Sequence, residues 1–178
     1  MLRGSPARRE IRVGGRLESR LEELGVDPKA RRDLGWEPAP ATEADEDHVL
    51  TQRIMALPSL HPATGPFPGQ TFAWTAEPQG GPRTAAASFY VALMGAACLS
   101  LIGAAGETVV EGPLARNDAF ARMLAAATGR PVTLAGQGAG TGLGAALLAG
   151  PLGTAPAGRR TIQPPQDPRY ADYAAEWA

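Results

Sequence analysis

The chain has 178 residues, 44% of them apolar and 20% charged, with a formal net charge of -1. That composition suits a soluble globular protein of one domain, or part of a larger one. A near-neutral balance gives no electrostatic case for a nucleic-acid backbone or an anionic membrane as the main partner. The one cysteine, Cys98, excludes an intrachain disulfide and points to a reducing compartment. Residues 1–30 alternate Arg with acids and lack the apolar core of a signal peptide, so the expected location is cytoplasmic.

The first 40 residues differ from the rest. Leu17, Leu21 and Leu24 form the narrow apolar stripe of a short helix that stops at Gly25 and gives way to a Pro-rich connector. Nine basic residues fall within 1–32, against six acids and no base in 33–50. Residues 1–40 therefore read as a charged segment with a connector, and 41–178 as the folded portion. A helix is predicted from Thr42 to about Ala56, with Thr42 and Asp45 as a capping pair and acids placed where the helix dipole favours them. Asp45, Glu46, Asp47 and His48 do not converge as consecutive helical residues, so they read as a solvated helix terminus. His48 and His61 lie too far apart for a local metal motif.

Pro58 ends that helix, and "LPSLHPATGPFPGQ" is a shaped loop rather than a regular element. From Pro82 a long Ala-rich helix runs to Gly103. Ala85 to Ala105 carries no charge over 21 residues, which is long enough to cross a bilayer. Eight of those residues are Ala, however, and no basic cluster flanks the stretch, so a buried core helix is the expectation.

Next come "ETVVEG" as a short strand and "RNDAFARMLAAATG" as a helix closed by Gly129. "PVTLA" reads as a second strand and "TGLGAALLAG" as a small-residue helix closed by Gly150. Strands joined through a helix form a parallel pair, which makes the chain an α/β protein with helices packed on a short sheet. Residues 151–167 read as a loop. "DPRYADYAAEWA" closes the chain as a helix with Tyr170, Tyr173 and Trp177 on one face.

A glycine turn between strand and helix lets backbone approach a ligand and aims unpaired helix N–H groups at it. Gly112-Pro113 is such a turn, and Asn117 at the helix entrance can cap the helix or offer a donor and an acceptor to a base edge. In "GAGTGLGAA", Thr141 between Gly140 and Gly142 is another cap candidate. Neither turn is a Walker motif, since no Lys follows, and neither completes the dinucleotide fingerprint. By pattern alone each is equally a packing corner.

Four blocks in order carry a resemblance: "MALPSLHPATGPFPG", "RTAAASFYVAL", "VVEGPLARNDAFARMLAAATGRPV" with "TGLGAALLAG", and "YADYAAEWA". Together, over about residues 54–178, they resemble the carboxy-terminal nucleotide-binding segment of the FGGY carbohydrate kinases. The resemblance implies a partial actin-like, RNase H-like ATPase domain with ATP, as Mg-ATP, for a cofactor. It places Gly112, Pro113 and Asn117 at the adenosine end of the site, with Thr141 and Gly142 nearby. Pro113 stands where many members have a second Gly, which removes one backbone donor. Phosphoryl transfer needs a carboxylate base, Mg²⁺ ligands and donors around the phosphates. In the family these come from parts that have no match here, so no catalytic residue and no metal ligand is assigned. The expected function is the carboxy-terminal portion of a sugar kinase, which partners a missing amino-terminal half or associates with itself. The alternatives are a non-catalytic oligomerisation protein on an actin-like half-fold, or a vestigial fragment.

Overall fold

The computed structural model describes residues 41–60, 63, 65–135 and 158–178. The helix expected around Leu17 to Leu24 and the one expected in "TGLGAALLAG" lie outside the described residues, as do Thr141 and Gly142. The described elements are α1 (Glu43–Gln52), β1 (Ala56–Leu57), β2 (Ala73–Trp74), α2 (Gly80–Leu101), β3 (Thr108–Val110), a 3-10 turn (Pro113–Arg116), α3 (Asp118–Thr128), β4 (Val132–Leu134), β5 (Arg160–Ile162) and α4 (Pro168–Trp177).

α1 begins as its sequence requires. Thr42 and Asp45 form a reciprocal capping box: the Thr42 N–H donates to Asp45 Oδ2 at 2.8 Å and the Asp45 N–H to Thr42 Oγ1 at 3.2 Å. The helix stops four residues earlier than predicted, because Arg53 adopts the left-handed conformation at φ 52° and turns the chain. Ile54, Met55 and Ala56 are thereby released into the core. A two-residue antiparallel ladder between β1 and β2 clamps the ends of the Pro/Gly loop, an element too short for any periodicity to reveal.

β3 and β4 are parallel, with Val109 opposite Thr133, as the crossover through α3 requires. β5 pairs antiparallel on the other side of β4, where Thr161 faces Thr133. This corrects the loop expected over 151–167. The β-branched Thr161 and Ile162 suit a pleated edge, and Arg160 is tied down by Asp118 on α3. α3 is central: Ala119, Phe120, Ala121, Met123, Leu124 and Ala125 are all buried, as in a helix wrapped by neighbours. Its largest helix interface is with α2, a helix whose small Ala85, Ala86 and Ala92 are fully buried.

α2 is only half a core helix. Residues 83–90 are buried, whereas Leu101 and Ile102 are 72% and 77% exposed and Cys98 is exposed too. It is long and apolar enough to cross a membrane by length and composition, with half of its most apolar window buried. α4 seals the opposite side. Tyr170, Tyr173 and Trp177 form its inward face as predicted, and Phe89 of α2 makes edge contacts with both tyrosines.

Candidate functional site

At one end of the helical layer the N-termini of α1 and α3, with Thr84 of α2, line an open cavity of about 440 Å³. Thr42 and Glu43 come from the start of α1, Thr84 from the first turns of α2, and Asn117, Asp118 and Ala119 from the start of α3. The volume lies within the roughly 300–1,000 Å³ usual for small-molecule sites. Thr42 and Asn117 each cap the helix that they precede, and the wall also carries Glu43, Glu46, Asp118 and Arg122, so this end offers both hydrogen-bond donors and acceptors.

Asn117 fixes the geometry of this corner. It is 8% exposed; its side-chain oxygen accepts from the Phe120 N–H at 3.0 Å, and its Nδ2 donates to Ser88 Oγ at 3.0 Å. Ser88 in turn donates to the Thr84 carbonyl at 2.7 Å. Of the two roles its position allowed, the structure shows the cap, and the amide also locks α3 to α2. A hydroxyl inside an Ala-rich helix is explained by the same bond.

Gly112 stands one 3-10 turn upstream, at φ 75° and ψ -154°, a region essentially closed to residues with a Cβ. The space where a Cβ would project is open. Pro113 begins the 3-10 turn, where a missing N–H costs no hydrogen bond. The structure thus brings Gly112, Pro113 and Asn117 into one strand-turn-helix corner, with Asn117 on the cavity wall.

The charged wall was not legible in the sequence. Glu46, expected to be solvated, is 2% exposed. Its carboxylate accepts two bonds from the Arg122 guanidinium, the Nε one at 2.9 Å, and a third from the Tyr170 hydroxyl at 2.7 Å. The Glu46 bonds push the Arg122 pKa up, while burial first and Glu46 second raise that of Tyr170. Asp118 pairs with Arg160, whose hydrogen bond holds the Asp118 carboxyl below its ordinary range. One signal could have found Arg122: it is the only charge inside the apolar run of α3. Among the described residues no group of three His, Cys, Asp or Glu side chains converges on a metal site.

A parallel strand pair crossed by a buried helix, with a glycine corner leading into that helix, defines an α/β domain. The sequence matches the family described as carbohydrate kinase FGGY, C-terminal domain, over residues 23–157, and the chain belongs to that family. Among solved structures it is similar to a carbohydrate kinase from Novosphingobium aromaticivorans, with 31% identity and a TM-score of 0.66. The similarity covers 91% of this chain and 34% of that one, so the chain spans about a third of that kinase's length. No curated protein matches the sequence.

Proposed function

We propose that this chain supplies the adenosine end of the ATP site of a sugar kinase, with the catalytic groups contributed by the part of the kinase that it lacks. The observation that carries the reading is a strand-turn-helix corner in which Gly112 takes a conformation only glycine holds comfortably, one 3-10 turn before Asn117 on the wall of a cavity of about 440 Å³. The residues present fit a nucleoside. Open space at Gly112 admits a flat group against backbone, and the walls mix donors with the acceptors Glu43 and Asp118. Asn117 positions the corner rather than reading the base, since both ends of its amide are engaged. Thr141 and Gly142 belong to the same proposed site by resemblance.

ATP bound here would supply the transferable phosphoryl group, while this chain's residues bind and orient the nucleoside. No base for a sugar hydroxyl and no Mg²⁺ ligand is proposed in this chain, so the isolated protein is expected to bind nucleotide without turning over sugar. Calorimetric titration with ATP and with ADP, with and without Mg²⁺, tests this. Binding that is similar for both nucleotides, indifferent to Mg²⁺ and weakened by Gly112→Ala supports the reading. The substitution forces a Cβ into a strained backbone region. No binding at millimolar nucleotide by folded protein overturns it.

A further inference from the structure

β3 ends at Val110, whose carbonyl accepts from the Ala135 N–H at 2.9 Å, and the chain then leaves the interior. Residues 111–116 are exposed or only partly buried, so no fully buried side chain fixes the glycine turn itself. Asn117 is the first buried residue after it. Where its amide is anchored therefore sets where the corner and the start of α3 sit.

The anchor lies on another element, 29 residues back in the chain. Ser88 belongs to α2 and is 1% exposed. A hydroxyl has one proton to give, and that of Ser88 is committed to the Thr84 carbonyl at 2.7 Å. Toward Asn117 it therefore accepts, from Nδ2 at 3.0 Å. The amide is thereby turned so that its oxygen faces α3 and accepts from the Phe120 N–H at 3.0 Å. The opposite orientation would set an NH₂ group against the Phe120 N–H, and an oxygen against a hydroxyl whose proton is already used. Thr84 and Asn117 both line the cavity, and Ser88 stands behind them.

We infer that Ser88 is a positioning residue of the nucleotide corner, which acts by holding the Asn117 amide in the orientation that caps α3 and ties the corner to α2. The inference rests on the nucleotide reading of that corner. Helix formation gives no reason for a serine here: Ala85, Ala86 and Ala87 precede it, Ala is the best helix former, and a serine bonded back to its own helix slightly weakens it. What the hydroxyl adds is its bond to Asn117.

The test is Ser88→Ala in the full chain, with circular dichroism to check the fold, calorimetric titration with ATP and ADP, and amide exchange at Phe120. Both affinities are expected to fall by about threefold to tenfold, the worth of one hydrogen bond, with faster exchange at Phe120. Thr128→Val is the control. It removes a hydroxyl bonded back to Leu124 in the same way, at the far end of α3, and is expected to leave affinity unchanged. Asn117→Ser supplies a cap with no NH₂ group to satisfy, so adding Ser88→Ala to it is expected to change affinity no further. Nucleotide binding by the parent that Ser88→Ala leaves intact overturns the inference alone. So does an equal loss from Thr128→Val, or a full further loss in the Asn117→Ser chain, since either would make the effect one of general stability. A folded parent that binds no nucleotide overturns the nucleotide reading, and this inference with it.

Discussion

Glu46 shows how one side chain can set the character of a whole wall. Its carboxylate is nearly dry and still accepts three hydrogen bonds, two from Arg122 and one from Tyr170, which links α1, α3 and α4. A buried pair of this kind is weak evidence for stability as a pair, because desolvating both charges offsets their attraction. Removing one partner is different. Glu46→Ala would take from Arg122 its buried carboxylate partner and from the Tyr170 hydroxyl its acceptor, at a cost of about 3 kcal/mol. That is the low end of the usual range, because the Arg122 side chain keeps 23% exposure. Replacing Glu46 with Leu and Arg122 with Met together is expected to cost much less. A double-mutant cycle by urea denaturation, with Glu46→Leu and Arg122→Met as its single variants, measures the coupling, and a double variant costing the sum of the two singles would show that the pair carries no special coupling. Gly81 adds a constraint nearby: a Cβ there would run into the Asp45 carboxylate, so the start of α2 sits directly on the capping box of α1.

Among the elements, α4 does the most for its length. Its three aromatic side chains end on three polar groups of one short stretch: Tyr170 on Glu46, Tyr173 on the Ile54 carbonyl at 2.7 Å, and Trp177 on the Ala56 carbonyl at 2.6 Å. Each aromatic therefore buries a large body and satisfies a backbone or carboxylate acceptor at once. Tyr173→Phe keeps the packing and orphans the Ile54 carbonyl, at an expected cost of about 1–2 kcal/mol. Ending the chain before Pro168 exposes Phe89, Met55 and Ile54 together and is expected to abolish cooperative unfolding. Thermal melts of the two proteins give the comparison, and a truncated chain melting like the parent would show that α4 is an appendage. This helix was fully legible in the sequence, because Asp167 and Pro168 mark its start and the 3–4 spacing of its aromatics marks its inner face. α3 was legible for the same kind of reason, with Asn117 and Gly129 as its two caps. β5 was not, since three residues between Gly and Pro segments carry no period and gain their structure only from an edge of β4. The end of α1 was missed because a left-handed Arg53 is imposed by the tertiary need to bury Ile54 and Met55, not by local preference.

At the scale of the whole molecule the sequence told the class of fold and the glycine corner, but not where charge would be buried, because burial depends on which faces meet. The tyrosines make that consequence measurable. The chain has three, and all three phenols are shifted upward: Tyr90 by burial against the Leu60 N–H bond that lowers it, Tyr170 by burial and then the Glu46 carboxylate, and Tyr173 by burial and then Glu176. A phenol whose folded pKa exceeds its unfolded value keeps its proton longer in the native state. Its contribution to stability is complete below the unfolded pKa near 10 and is lost as pH rises toward the folded value. The acid side runs the other way: Asp118, held low by Arg160, contributes above the ordinary carboxylate range and loses that contribution as pH falls through it. Stability is therefore expected to stay level through neutral pH and to fall steeply above about pH 10, where unfolding releases up to three protons per chain. Tyrosinate absorbance followed against pH is expected to rise in one cooperative step that coincides with loss of helix signal. Three separate, reversible titrations near pH 10 with the helices intact would show that the aromatic faces of α2 and α4 are open to solvent, and would overturn the packing of α4 on which the architecture rests.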